Sequence, residues 1–322
     1  MPRTTTAFAA AMALFLPIGR PLMVGLTPAV GIGAGLLSSQ IAYAQTAEEW
    51  FDSAFKKFET GDYQGAINDY TKSIQIDPNE AVSYYNRGLA KDNLKRYQDA
   101  ISDYTKAIEI NPQYADAYFN RAAVKHDLED HQGAIADYNK AIEITPRDAD
   151  AFNNRGNAKS DLKDYQGAIA DYNKAIEINP RYAIAYYNRA NAKDDLRDYR
   201  GAIADYNKAI EINPQYADAF NNRGNTKYDL KDYQGAIADY TKVIQILPKD
   251  LDAYVNRGNA LEKVGDLKGA CADWEKAAGL GDNEATKWVR DQCWYLALPD
   301  FKLFQGILPS AMAGFFLLPS VQ

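Results

Sequence analysis

The sequence predicts an all-α solenoid, a stack of helix pairs that grows in one direction, and three observations predict it. Alanine recurs at Ala66, Ala100, Ala134, Ala168, Ala202, Ala236 and Ala270, and proline at Pro78, Pro112, Pro146, Pro180, Pro214 and Pro248, each 34 residues after the last. A fixed period of this length marks one supersecondary unit repeated, each copy covering the apolar side of the next. Within a unit, apolar and small residues fall twice at helical spacing. A capping signal separates the two runs, and a proline closes the second.

The unit Ala149–Tyr182 shows the elements in order. Its first helix carries Ala149, Phe152, Gly156, Ala158 and Leu162 on one face. Asp164 then stands where an N-cap is wanted, ahead of Tyr165. The second helix buries Ala168, Ile169, Tyr172, Ala175 and Ile176, and Asn179-Pro180 stops it, because proline disfavours helix in the residue before it. Gly156 and Ala168 are small where the two helices must cross closely. Seven such units fit the chain, at 47–80, 81–114, 115–148, 149–182, 183–216, 217–250 and 251–284. A capping helix is expected at 285–297, where Ala285, Trp288, Val289 and Trp294 offer one apolar face. Gly281, in a left-handed conformation, would end the helix before it.

Outside the repeats lie two apolar segments. Residues 1–44 read as an export signal, with Arg3 and Arg20 before an uncharged stretch and Ala42-Tyr43-Ala44 as the cleavage site. An uncleaved membrane anchor around 21–39 is the alternative. Residues 298–322 follow no repeat, and their apolar run is broken by Gly306, Pro309 and Gly314, so it is short for a membrane span and is read as a tail contacting a membrane or a partner at most. The expected destination is the periplasm, the thylakoid lumen or the extracellular space. The chain has 47% hydrophobic and 25% charged residues with net charge −7, the balance of a folded soluble protein whose acidity argues against a nucleic-acid partner.

The unit resembles the tetratricopeptide repeat (TPR). Phe152, Gly156, Tyr165, Ala168, Tyr172, Ala175 and Pro180 stand at that family's hallmark positions 4, 8, 17, 20, 24, 27 and 32. The resemblance runs over about residues 47–284, with local departures such as Ala54, Ala122 and Ala190 for the glycine and His131 and Leu267 for an aromatic. It implies a right-handed superhelix whose first helices line a concave groove, and a protein-binding scaffold rather than an enzyme. Groove residues by that family geometry are Tyr85, Asn86, Phe119, Asn120, Asn154, Asn157, Tyr187, Asn188, Asn191, Asn222, Asn225, Asn256 and Asn259. Amides donate and accept together, which suits an extended peptide backbone.

Acids crowd the same face, with Glu48, Asp116, Asp150, Asp218 and Asp252 at position 2 and Asp92, Asp127, Asp161, Asp194, Asp195 and Asp229 at positions 12 and 13. The lysines of carboxylate-clamping relatives are missing there, so basic or neutral polypeptide is the expected ligand. Assembly of an envelope or photosynthetic complex is the process such a scaffold suggests. The alternative is a structural solenoid that associates with itself or with a membrane.

Two further sets are expected to be structural. Arg87, Arg121, Arg155, Arg189, Arg223 and Arg257 fill position 7, and Asp69, Asp103, Asp137, Asp171, Asp205, Asp239 and Asp273 recur on every second helix. A semi-buried arginine needs a counter-charge, so Arg–Asp pairs are predicted within a unit or with the preceding one. Cys271 and Cys293, the only cysteines, are a disulfide candidate if the chain is exported and free buried thiols otherwise. The block around them resembles the last unit of other exported repeat proteins. No cofactor, metal site or catalytic centre is expected. His126 and His131 lie five apart without the cysteine, histidine and carboxylate company a metal site requires: His126 reads as a lone polar residue on the groove side, and His131 fills a slot held by tyrosine in other units.

Overall fold

The computed structural model describes residues 45–293, and every regular element among them is an α-helix. Seven pairs follow one another: α1 (Ala47–Glu59) with α2 (Tyr63–Ile76), α3 (Ala81–Asn93) with α4 (Tyr97–Ile110), α5 (Ala115–Asp127) with α6 (His131–Ile144), and α7 (Ala149–Asp161) with α8 (Tyr165–Ile178). Then come α9 (Ala183–Asp195) with α10 (Tyr199–Ile212), α11 (Ala217–Asp229) with α12 (Tyr233–Ile246), α13 (Leu251–Lys263) with α14 (Leu267–Gly279), and the single α15 (Asn283–Gln292). Each helix packs on its pair partner and on the first helix of the next unit. Successive first helices (α1 with α3, α3 with α5, and so on) also approach one another directly, more closely than successive second helices do. The first helices therefore lie on the inner curve of the solenoid.

Local chemistry sets the boundaries. Asp164 caps α8 by accepting a hydrogen bond from Gly167 N at 3.0 Å, and Asp62, Asp130, Asp198, Asp232 and Asp266 cap the other second helices in the same way. Gly167 lets the capping carboxylate sit close, since a Cβ in this arrangement would stand 2.1 Å from it, whereas α13 and α15 accommodate Ala253 and Ala285 at the same place over Asp250 and Asp282. The α4 start departs at both places together: Arg96 replaces the cap, Asp99 replaces the glycine, and the two form an ion pair at 2.7 Å. First helices end in a left-handed residue, Lys163 at φ 63° after α7, with Asp164 N bonded back to Lys159 O at 2.9 Å.

The core is built from small residues and one large ring per unit. Ala168, Ala175 and Ala192 are fully buried around Tyr172, and a Cβ on Gly156 would come within 2.6 Å of that ring. Small side chains let the helices approach closely, and the ring fills the space between them.

The cap follows the sequence reading with a shift. It is the helix α15, with Asp282 accepting from Ala285 N and with Trp288 and Val289 against Trp274, Ala270 and Ala277. Cys293, its C-cap, comes into bonding contact with Cys271, the Cα atoms 5.7 Å apart. Gly281 has φ 108°, in the left-handed region expected of it. The expected export signal at 1–44, the last residues of the expected capping helix and the tail at 298–322 lie outside the described residues. Among the described residues no helix is long and apolar enough to cross a membrane.

Candidate functional site

The first helices carry two ladders, one ionic and turned toward the second helices, the other of amides. In the ionic ladder each arginine pairs with the aspartate 16 residues later on the same unit's second helix: Arg155 Nε donates to Asp171 Oδ2 at 2.9 Å and its Nη2 to Oδ1 at 2.5 Å. Arg87–Asp103, Arg121–Asp137, Arg189–Asp205, Arg223–Asp239 and Arg257–Asp273 repeat this two-pronged contact. The third nitrogen reaches back one unit to a neutral acceptor, Arg155 Nη1 donating to Asn139 and Arg87 Nη1 to Thr71, so the Arg–Asp pairs themselves form within the unit and not with the preceding one. Each guanidinium also lies over the aromatic ring three residues before it, Phe152 for Arg155.

Lysine completes the arrangement, and sequence reasoning missed it. Lys159 Nζ is 2.8 Å from Asp171 Oδ2, and Lys91, Lys125, Lys193 and Lys227 repeat the contact. The signal was available: a lysine stands four residues after five of the six arginines, and Leu261 after Arg257. In the first unit Ser53 replaces arginine, and Asp69 is held by Lys57 and Ser53, with Lys72 at 3.7 Å from its other oxygen. The ladder is structural, since its aspartates are buried and their oxygens occupied.

The amide ladder has a similar internal role. The position-9 asparagines accept from the core ring of their own unit: Tyr172 Oη donates to Asn157, Tyr206 to Asn191, Tyr240 to Asn225 and Trp274 Nε1 to Asn259. Where Phe55 and Leu89 hold that position, Tyr70 and Tyr104 have a buried hydroxyl with no partner. Replacing Leu89 with asparagine is therefore expected to satisfy Tyr104 and raise stability by about 1 kcal/mol, seen as a higher urea midpoint at unchanged slope.

Position-6 asparagines clasp the preceding unit wherever it offers an acceptor. Asn120 donates to Tyr85 Oη at 2.8 Å, Asn188 to Asn153, Asn222 to Tyr187 and Asn256 to Asn221. Asn154 follows Phe119, which has none, and bonds Tyr138 instead. Asn86 turns to its own helix at Val82 O. These side chains are half-buried or, for Asn225, exposed, so none is fully closed off from solvent. Asn225, Asn256 and Asn259 line a cavity of about 200 Å3 with Tyr228, Asp229 and Tyr240. A larger, open depression of about 530 Å3 lies at the Thr145–Pro146 turn and carries none of the groove asparagines.

Several groove carboxylates are raised by burial. Burial pushes Asp92 up to about 6, with the nearby Asp127 charge adding to it. Burial likewise raises Asp127, against the opposing His126, and raises Asp194 and Asp195. His126 is also not the lone residue expected from sequence. Asp161, from the following unit, stands 2.8 Å from its Nε2, and His131 closes the group.

Profiles of the tetratricopeptide repeat match residues 81–114, 149–182 and 217–250, and related TPR profiles match 56–92, 124–163 and 195–231 and, for a third, 103–136 and 171–204. Together they run without a gap from 56 to 250. The chain belongs to the tetratricopeptide repeat family. No curated protein matches this TPR chain significantly. Among solved structures, it is similar to a TPR protein from Parabacteroides merdae, at 22% identity and TM-score 0.59 over 77% of this chain and 98% of the other. The C-terminal part of a TPR repeat-containing protein from Cytophaga hutchinsonii aligns at 18% identity and TM-score 0.62, over 74% and 98%. YrrB, a TPR protein with an unusual peptide-binding site, aligns at 23% identity and TM-score 0.50, over 58% and 97%. At these identities the likeness is one of fold.

Proposed function

We propose that this TPR protein is a non-enzymatic scaffold that holds an extended, basic or neutral polypeptide along its first-helix face. One observation supports the reading: Asp92, Asp127, Asp194 and Asp195, expected on that face, have carboxyls raised by burial, with neighbouring carboxylates adding to it at Asp92 and Asp194. A cationic chain laid along them supplies the opposite charge that offsets their desolvation penalty and screens their mutual repulsion. The asparagines supply the neutral part of the contact through whatever edges the inter-unit clasps leave open. YrrB's peptide-binding site on a similar stack of helices supports the choice of ligand class. Repetition favours an extended ligand, because each unit adds a comparable contact and avidity follows from their number.

The reading includes export to an oxidising compartment. The leader pattern at 1–44 supports it, and so does the contact between Cys271 and Cys293, which needs such a compartment to persist as a disulfide.

Fluorescence anisotropy with a labelled lysine-rich extended peptide and its glutamate counterpart tests the groove. The basic peptide is expected to bind and the acidic one not. Changing Asp92, Asp127 and Asp195 together to asparagine is expected to weaken binding about tenfold. Binding favours the ionised carboxylate, so affinity for the basic peptide falls as pH drops through the raised Asp92 value. Equal capture of both peptides, or an indifferent triple variant, would sink the reading.

A further inference from the structure

The two histidines of this chain, the only two it has, meet in space with a carboxylate that sequence separation had hidden. His126 sits in the last turn of α5, His131 opens α6, and Asp161 ends α7 in the next unit. One donor atom from each lies within 4.8 Å of the other two, and His126 Nε2 and Asp161 Oδ2 are 2.8 Å apart. His131 Nδ1 is buried with no hydrogen-bond partner. We propose that His126, His131 and Asp161 form a binding site for a divalent first-row transition metal ion, with Zn(II) as its preferred occupant.

The donor set argues for this class of ion. Two imidazoles and one carboxylate suit zinc and its neighbours, whereas magnesium and calcium prefer all-oxygen shells. Donors about 2.0–2.2 Å from zinc stand about 3.4 Å apart in a tetrahedron, and the three donors here lie within 4.8 Å of one another with one pair at 2.8 Å. Small side-chain rotations therefore bring all three into the coordination sphere. Side chains of His126 and Asp161 are each 22% exposed, which leaves a way in for the ion and a fourth position for water.

Sibling units serve as an internal comparison. The same two ring positions are Phe58 and Tyr63 in the first unit and Tyr228 and Tyr233 in the sixth, each pair meeting edge to face as His126 and His131 do. Carbon rings thus suffice for the packing. The third unit alone replaces both with imidazole, and the following unit presents a carboxylate to them. An ion held there joins α5 and α6 to α7, pinning unit three to unit four and placing positive charge beside Asp127, a groove acid.

Titration calorimetry of the full chain, stripped with chelator and supplied with zinc chloride, tests the site, with melting followed in parallel. One zinc ion per chain is expected, together with a zinc-dependent rise in Tm. The decisive variant is His131→Tyr, which installs the residue that Tyr97 and Tyr165 provide in the flanking units and so keeps the fold. Its metal-free Tm is expected to match the parent, while its zinc affinity falls about 100-fold. Asp161→Asn is expected to weaken zinc similarly. No zinc uptake by the parent, or undiminished uptake by the tyrosine variant, overturns the proposal and leaves the histidines as a packing pair. Neither outcome touches the polypeptide-binding reading, which is tested with metal-free protein.

Discussion

Replacing Asp171 with alanine is expected to cost about 3–5 kcal/mol, the largest effect of any single polar substitution in the array, read from urea unfolding. The magnitude follows from what is left behind. Asp171 is 3% exposed and takes both prongs of Arg155 as well as Lys159 Nζ, so its loss strands one guanidinium and one ammonium at once. Lysine can swing out, its side chain being 22% exposed, but Arg155 is held by the Phe152 ring and by Asn139 and cannot follow. Replacing Arg155 with serine is expected to cost less than half as much, about 1–2 kcal/mol, since Lys159 still neutralises the carboxylate. The first unit already has this arrangement, with Ser53 and Lys57 on Asp69. Changing Arg155 and Asp171 together to leucine is expected to cost less than Asp171→Ala alone, because no buried charge is then unpaired. If the double variant costs as much as the two single variants added together, the pair is not coupled and the ladder does not hold the helices in register.

The fold was legible because its information is local and repeated. Asp164, Pro180 and Ala168 each mark a boundary or a crossing within one unit, and seven copies in register leave no competing period. The ion pairs were legible for a related reason: a semi-buried arginine demands a counter-charge, and only one acid recurs at a matching interval. What the unit could not show is contact across units between side chains that are far apart in sequence. Asn120 reaches Tyr85 over 35 residues, and the sequence suggests only that both face one groove. The amide ladder was therefore read as free for a ligand, when most of its donors are already engaged by neighbouring units. Asp161 was hidden from His126 by the same 35-residue offset. Lys159 was missed for a simpler reason: lysine on a helix surface is usually solvated, and nothing in its type marks it as a third partner.

Reducing the full chain, or changing Cys271 and Cys293 together to alanine, is expected to cost about 3 kcal/mol, the second large effect. The two residues are 22 apart in sequence, and closing a loop of that length removes chain entropy from the unfolded cap. In a solenoid this loss is local. Units contact only their neighbours, so the cap can leave while the inner pairs stay folded. Its departure exposes Trp274, otherwise 1% exposed and covered by Trp288, and the end of α14 then frays. Hydrogen exchange should accordingly quicken in α14 and α15 and stay unchanged from α1 to α10, while tryptophan emission shifts to the red. A terminal unit needs this covalent tie more than an inner one, because it has a neighbour on one side only and α15 is short. Should the oxidised parent and the double alanine variant share one exchange pattern, burial of Ala285, Trp288 and Val289 alone secures the end, and the bridge between the sulfurs adds nothing.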